Sequence, residues 1–230
     1  MPRFVFWDCD NTLIENAGLH WRKHHVTLQS YGYSLPETIE IRKTFYHNNG
    51  NQNWQWLVDN LGLEIPCDDY LKEIDTWYHA HIHEIPLRAG VPWALQIFKE
   101  NNIKQCVVTN ARRASVQPML EVQGIVPYFE FIWTKECYSE RKPHPMPYQS
   151  AIKNMEIVLG IDVSPEDCLA IEDDPLGVTS ARHAGLQVIQ RRLTRDEPPS
   201  SDADLSLYDE DEFITCIGNL FGFDTSASRK

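Results

Sequence analysis

Two carboxylates, Asp8 and Asp10, follow directly on the apolar run FVFW and are separated only by Cys9. If residues 4–7 form a strand, alternation places both acids on the same side near its end. Like charges held that close cost free energy unless something compensates. Alone, the pair is a modest signal, since a minority of such pairs serve as caps or turns, which Asp and Asn both favour, and Asn11 and Thr12 suit that reading. Three other stretches make the pair informative. QCVVTN ends in Thr109 and Asn110, ERKPHPMPY sets Lys142 before a proline-fixed turn, and CLAIEDD ends in Glu172, Asp173 and Asp174, with Gly177 soon after. Side by side, these ends would gather carboxylates, a hydroxyl and an ammonium. Carboxylates from two strands make a hard oxygen site suited to Mg²⁺. Thr109 and Lys142 would then grip the remaining oxygens of a phosphate, with Asn110 a further candidate for phosphate contact. A dication between the acids, with an anion beside it, accounts for the charge that the first stretch concentrates.

The elements that must position these groups follow from the apolar pattern. Strands are expected at 4–7, 105–110, 129–134, 168–173 and 186–190, and helices at 91–100, 115–123, 147–159 and 177–184. Alternation of strand and helix predicts an α/β fold, a Rossmann-like three-layer core with a parallel sheet, whose sites lie at the carboxyl ends of the strands. Residues 16–86 break the rhythm. They carry amphipathic patterns at 19–31, 35–46, 52–61 and 69–83, with a turn expected at Gly50, and read as a helical insertion. The expected division is therefore 1–15 with 87–230 as the core and 16–86 as the insertion. The tail after Arg191 is polar, with a last helix expected around 213–223 and fraying at 225–230.

The four motifs together resemble those of the haloacid dehalogenase superfamily of phosphohydrolases. DxDxT is Asp8-Cys9-Asp10-Asn11-Thr12, the hydroxyl closing a hydrophobic strand is Thr109, KPxPxxY is KPHPMPY with Lys142, and the acidic pair is Glu172-Asp173 with Gly177. They occur in order and span residues 4 to about 189. The resemblance, of the phosphoglycolate phosphatase and β-phosphoglucomutase branch, implies that Asp8 is the nucleophile that becomes an aspartyl-phosphate. It implies that Asp10 is the general acid, then the base that activates water. It also implies that Mg²⁺ is held by Asp8, the Asp10 carbonyl and Asp173, with Glu172 directly or through water, and that the insertion is a helical cap. Asn11 stands where glycine is usual, and Asn visits left-handed backbone more easily than most residues. Asp174 stands where serine is commoner, as an outer partner or a competing ligand.

Other features carry weaker signals. His20 and His24 share a helix face soon after the first motif, and His47 lies in the loop YHNNGNQ; all three are candidates for substrate contact. His79, His81 and His83 on a helix end would fan apart, and Trp54, Trp56 and Trp77 read as core of the insertion. A net charge of −12 argues against nucleic acid or an anionic membrane as partner. The six cysteines are scattered without a CxxC pair, as expected of reduced thiols in a cytoplasmic protein. The function expected is a Mg²⁺-dependent phosphatase acting on a small phosphate ester. The alternatives are a phosphomutase using the same parts and a receiver-type signalling module. A dehalogenase is disfavoured because it needs neither Asp10 nor the metal acids.

Overall fold

A computed structural model of the chain describes residues 1–225, the side chain of His47 excepted; the fraying expected at the C-terminus falls mostly on 226–230, outside the described residues. The chain forms two compact units, Glu15–Pro86 and the remainder, Met1–Ile14 with Leu87–Lys230.

The first unit is helical: α1 (Ala17–Ser30), α2 (Ile39–His47), α3 (Gly50–Leu61) and α4 (Cys67–His81). Trp21, Leu28, Leu35, Phe45, Leu57, Leu63, Tyr70 and Ile74 bury one another in its centre, with Trp54 and Trp56 packed against them. The turn expected at Gly50 lies instead at Asn48 and Asn49. Asn49 accepts from the Gln52 amide while the Gln52 side chain accepts from the Asn49 amide, so a capping box starts α3 at Gly50. Gly62, at φ 66°, closes the helix in the left-handed region.

The second unit holds a wholly parallel sheet, among the described residues six-stranded: β1 (Phe4–Trp7), β2 (Lys104–Val108), β3 (Phe131–Trp133), β4 (Cys168–Glu172), β5 (Gln187–Arg191) and β6 (Leu205–Leu207), in the order β3-β2-β1-β4-β5-β6. Helices α5 (Val91–Glu100), α6 (Arg113–Val122), α7 (Met146–Leu159), α8 (Pro175–His183) and α9 (Glu210–Phe221) complete it. All residues of β1 and β4 are buried, as unbroken apolar runs in a sheet covered on both faces require. On one face Phe4, Phe6, Cys106 and Ala170 pack with Tyr148 and Met155 of α7 and Val178 of α8. On the other, Trp7 meets Phe98 of α5 and Phe213 of α9 at ring separations of 6.1 and 6.3 Å. These are the three layers expected. The edge strand β6 is an addition to the expected set, because three half-exposed residues, LSL, in a polar tail carry too little periodicity to register.

From β1 the chain runs outward to β2 and β3, and later returns to build β4, β5 and β6 on the other side. The order therefore reverses between β1 and β4, where such sheets open a crevice at their carboxyl ends. Trp7 pairs with Ile171 and with Val107, so Asp8 comes level with Glu172, and the Asp8 amide donates to the Ile171 carbonyl at 2.9 Å. No described helix is long and apolar enough to cross a membrane.

Candidate active site

The register just described brings Asp8, Lys142 and Glu172 into one buried group. The Lys142 ammonium donates to Asp8 Oδ1 at 2.7 Å, to Glu172 Oε1 at 2.6 Å and to the Val108 carbonyl at 2.7 Å. Those three bonds use all the donors an ammonium has. Burial alone would lower the proton affinity of Lys142; the Asp8 and Glu172 carboxylates reverse that and hold it charged well above the usual lysine range. Tyr148 of α7 also donates its hydroxyl to Glu172 Oε1. The other oxygen, Oε2, lies 2.2 Å from where a Cβ on Gly177 would be, so any larger residue at that point of α8 must displace the carboxylate.

Asp173 completes an acidic cluster with Asp8 and Glu172, one ligand oxygen from each lying within 4.8 Å of the others. Thr12 Oγ1 donates to Asp173 Oδ1 at 3.3 Å, and the Gln190 side chain donates to the Asp173 carbonyl at 3.3 Å. Burial and then Asp8 push Glu172 up to about 8, with Lys142 pulling the other way. Burial, Asp8, Glu172 and Asp174 raise Asp173 well above the carboxylate range, while Arg88 draws it down. Three buried carboxylates thus face one lysine, and the surplus negative charge appears as tightened protons. A divalent cation bound by oxygen matches that donor set and charge.

The other expected residues take the following places. Thr109 is buried just past β2, and its Oγ1 accepts from the Ala111 amide at 3.0 Å, which leaves the hydroxyl proton to donate. Asn110 is spent on the backbone: its amide oxygen accepts from Lys142 N at 3.2 Å and its Nδ2 donates to the Lys142 carbonyl at 3.4 Å. Tyr138 donates to the Thr109 carbonyl and to Asn110 Oδ1, tying the two ends together. Asp10 is half-buried and forms an isolated bridge with Ile14, and Asn11 beyond it adopts φ 55°. Asp174 is the N-cap of α8, accepting from the Leu176 amide at 2.7 Å, and lies outside the acidic cluster. Thr12, Tyr148 and Gly177 belong to the motifs already quoted. Gln190 and Tyr138 carry no pattern in the sequence that would mark them, and Arg88 lies in PLRAGVPWAL, which resembles the family's re-entry into the core but assigns that arginine no role.

In the helical unit, the His20 ring stacks on Tyr78 at 4.5 Å, and burial followed by the Lys23 charge lowers it to about 3. His24 is buried, with Nδ1 2.7 Å from the Tyr70 hydroxyl and its ring edge against Phe45, so it is committed to the interior of that unit. His47 ends α2, and its side chain lies outside the described residues. His79 and His81 bond the carbonyls of Asp75 and Trp77, one turn back in their own helix.

A family model described as haloacid dehalogenase-like hydrolase matches residues 5–190. The chain belongs to that family. Phosphoglycolate phosphatase of Nitrosococcus oceani is 27% identical over 195 residues, covering 82% of this chain and 83% of that one. Protein CbbY of Rhodobacter capsulatus is 26% identical over 195 residues, covering 80% and 83%. Among solved structures, CbbY of Rhodobacter sphaeroides in complex with phosphate superposes with a TM-score of 0.72 at 25% identity over 93% of this chain and 95% of that one. β-Phosphoglucomutase of Clostridium difficile, at 18% identity and a TM-score of 0.69 over 96% and 99%, shares the fold. Membership in a hydrolase family sets the chain among enzymes and removes the receiver-type alternative. The matched span contains all four motifs and the whole helical insertion.

Proposed function

We propose that this haloacid dehalogenase-like hydrolase is a Mg²⁺-dependent phosphatase of small phosphorylated metabolites, of the sugar phosphate or phosphoglycolate kind, working through an aspartyl-phosphate on Asp8. The observation that carries the reading is the buried cluster of Asp8, Glu172 and Asp173 with the Lys142 ammonium fixed between two of its members. Asp8, Asp173 and the Asp10 carbonyl would hold the ion. Glu172, whose Oε1 already serves Lys142 and Tyr148, acts chiefly as the counter-charge of the lysine. Bound Mg²⁺ supplies positive charge to the phosphoryl oxygens and offsets their repulsion by the acids.

Within that frame each residue has one task. An Asp8 oxygen attacks phosphorus as the ester P–O bond breaks, and the Asp10 carboxyl gives its proton to the departing oxygen. Lys142 holds the Asp8 carboxylate in one orientation and stays protonated. Thr109 donates its hydroxyl proton to a phosphoryl oxygen, while Asn110 works by fixing the Lys142 backbone. The Asp10 carboxylate then takes a proton from water, the water oxygen attacks phosphorus, and the bond to Asp8 breaks to release inorganic phosphate. The helical unit, as a cap, selects between esters, with His20 and His47 the first residues to probe; His24, expected beside them, is instead held in the interior of that unit by Tyr70 and Phe45. The free cysteines suit a reducing, cytoplasmic setting.

The test is a panel of phosphate esters assayed for released phosphate and for phosphoryl transfer back to the substrate. Mg²⁺-dependent phosphate release that stops in excess EDTA supports the reading. Full turnover in EDTA overturns it, and isomerised product without phosphate release makes the enzyme a mutase.

A further inference from the structure

The guanidinium of Arg88 is buried, the residue being 6% exposed, and it donates to three main-chain carbonyls. Its Nη1 donates to the Asn11 carbonyl at 2.7 Å and to the Arg191 carbonyl at 2.7 Å, and Nη2 donates to the Arg192 carbonyl. Asn11 is the residue after Asp10; Arg191 ends β5 and Arg192 follows it, and β5 is the neighbour of the strand that leads into Asp173. The Arg88 backbone grips the same turn: its amide donates to the Leu13 carbonyl at 2.9 Å, beside the bridge between Ile14 and Leu87. Arg191 answers from the other side by donating Nη2 to the Ala89 carbonyl at 2.8 Å, its own guanidinium lying 4.0 Å over Phe213. One side chain therefore joins the turn after β1 to the end of β5.

The turn it holds is a tight one, with Asn11 at φ 55° in the left-handed region that Asn enters more easily than most residues. The Cys9 carbonyl gathers the amides of Thr12, Leu13 and Ile14 at 3.0–3.3 Å. Beside that inner ring of bonds, Arg88 holds the Asn11 carbonyl. We propose that Arg88 is the positioning residue of the general acid: by clamping the Asn11 carbonyl it fixes the Asn11–Thr12 peptide, and through the Asn11 backbone the direction of the adjoining Asp10 carboxyl. The proposal rests on the phosphatase reading and on the acid role that reading assigns to Asp10. A forked guanidinium suits three carbonyls in a way that a lysine ammonium, a single point of charge, does not.

A residue that only staples the fold and one that aims an acid differ in what their loss does to different leaving groups. kcat/KM covers the steps up to departure of the alcohol, so it reports the acid directly. An alkyl phosphate needs its leaving oxygen protonated; 4-nitrophenyl phosphate hardly does. The experiment compares wild type, Arg88→Lys and Arg88→Ala on 4-nitrophenyl phosphate and on 2-phosphoglycolate or a hexose phosphate, whichever the wild type cleaves faster. The expected result is a loss of about 10²-fold in kcat/KM on the alkyl ester against a loss within about threefold on the aryl ester, because a misplaced acid is costly only where acid is needed. Sub-denaturing guanidinium ion should restore part of the alkyl activity of Arg88→Ala. If that variant does not fold, the Arg88→Lys comparison decides. Equal losses on both esters, or a lowered melting temperature with both rates unchanged, overturn the proposal. A wild type that cleaves neither ester overturns the phosphatase reading, and this inference with it.

Discussion

Lys142 and Asp8 meet at 2.7 Å across 134 positions of sequence, with both side chains almost sealed from solvent. Removing the ammonium leaves Asp8 and Glu172 buried without their counter-charge, and breaking such a pair from one side costs about 3–5 kcal/mol. Lys142→Met should lose about that much stability in metal-free urea titrations, and turnover should vanish. The double variant Lys142→Met/Glu172→Gln should regain much of the stability and none of the activity. A single variant as stable as wild type would show that the pair contributes nothing to the fold.

Glu172 and Asp173 bind protons more tightly in the folded protein than the ordinary values of 4.5 and 3.8. The native state then carries more protons than the unfolded chain, so unfolding free energy falls as pH rises. The contribution is fully present below the unfolded values and is lost as pH climbs through about 8, where Glu172 ionises. Metal-free protein should melt progressively lower from weakly acid pH towards that point. Mg²⁺ favours the ionised acids, so it should raise the melting temperature most at the upper end of the window. A melting temperature that is flat in EDTA over this range, or an equal Mg²⁺ shift throughout, would count against a surplus of buried negative charge.

How much of the fold and site is legible in the sequence depends on whether a residue's signal is local. β1 and β4 can be read because strands buried on both faces are continuous apolar runs, and their expected boundaries fall within a residue of the observed ones. Asp8, Asp10 and Glu172 stand out as charges at the ends of such runs, and Lys142 by the proline-set turn that follows it. β6 stays hidden because an exposed edge strand of three residues buries almost nothing. The sequence suggests an outward role for Asn110, towards phosphate, whereas its amide faces the Lys142 backbone, a contact set by the fold across 32 positions. The task of Arg88 is hidden for the same reason, since its three acceptors are main-chain carbonyls, which no side-chain pattern records.

Gly177 offers a steric test of the site's interior. A methyl group there would lie 2.2 Å from Glu172 Oε2, closer than any real contact. Gly177→Ala should therefore destabilise by about 1–3 kcal/mol, as overpacking does, and lower kcat by displacing Glu172 from Lys142. Glu172→Asp, one methylene shorter, should harm the wild type yet recover stability in the Gly177→Ala background. That reversal of sign is what coupling through one contact predicts, and additive effects in chemical denaturation would exclude it.

Asp8 and Asp10 are both carboxylates at the end of β1, but the proposed chemistry gives them different work. Asp8→Asn removes the nucleophile, so no phosphoenzyme should form from any ester. Asp10→Asn keeps the backbone carbonyl assigned to the ion and loses the proton carrier. With 4-nitrophenyl phosphate the leaving group needs little acid, so phosphorylation of Asp8 should still proceed. Attack of water on the aspartyl-phosphate should slow by ~10²–10⁴-fold, the usual cost of a lost acid–base. Stopped-flow measurement should then show a burst of about one nitrophenol per active site followed by a slow phase, the kinetic mark of an accumulating covalent intermediate. The alkyl ester should show no burst, because its departure needs a proton that the substituted amide cannot give. A steady-state rate for Asp10→Asn equal to wild type on both esters would remove Asp10 from the acid–base role, and Arg88 would then have no acid to position.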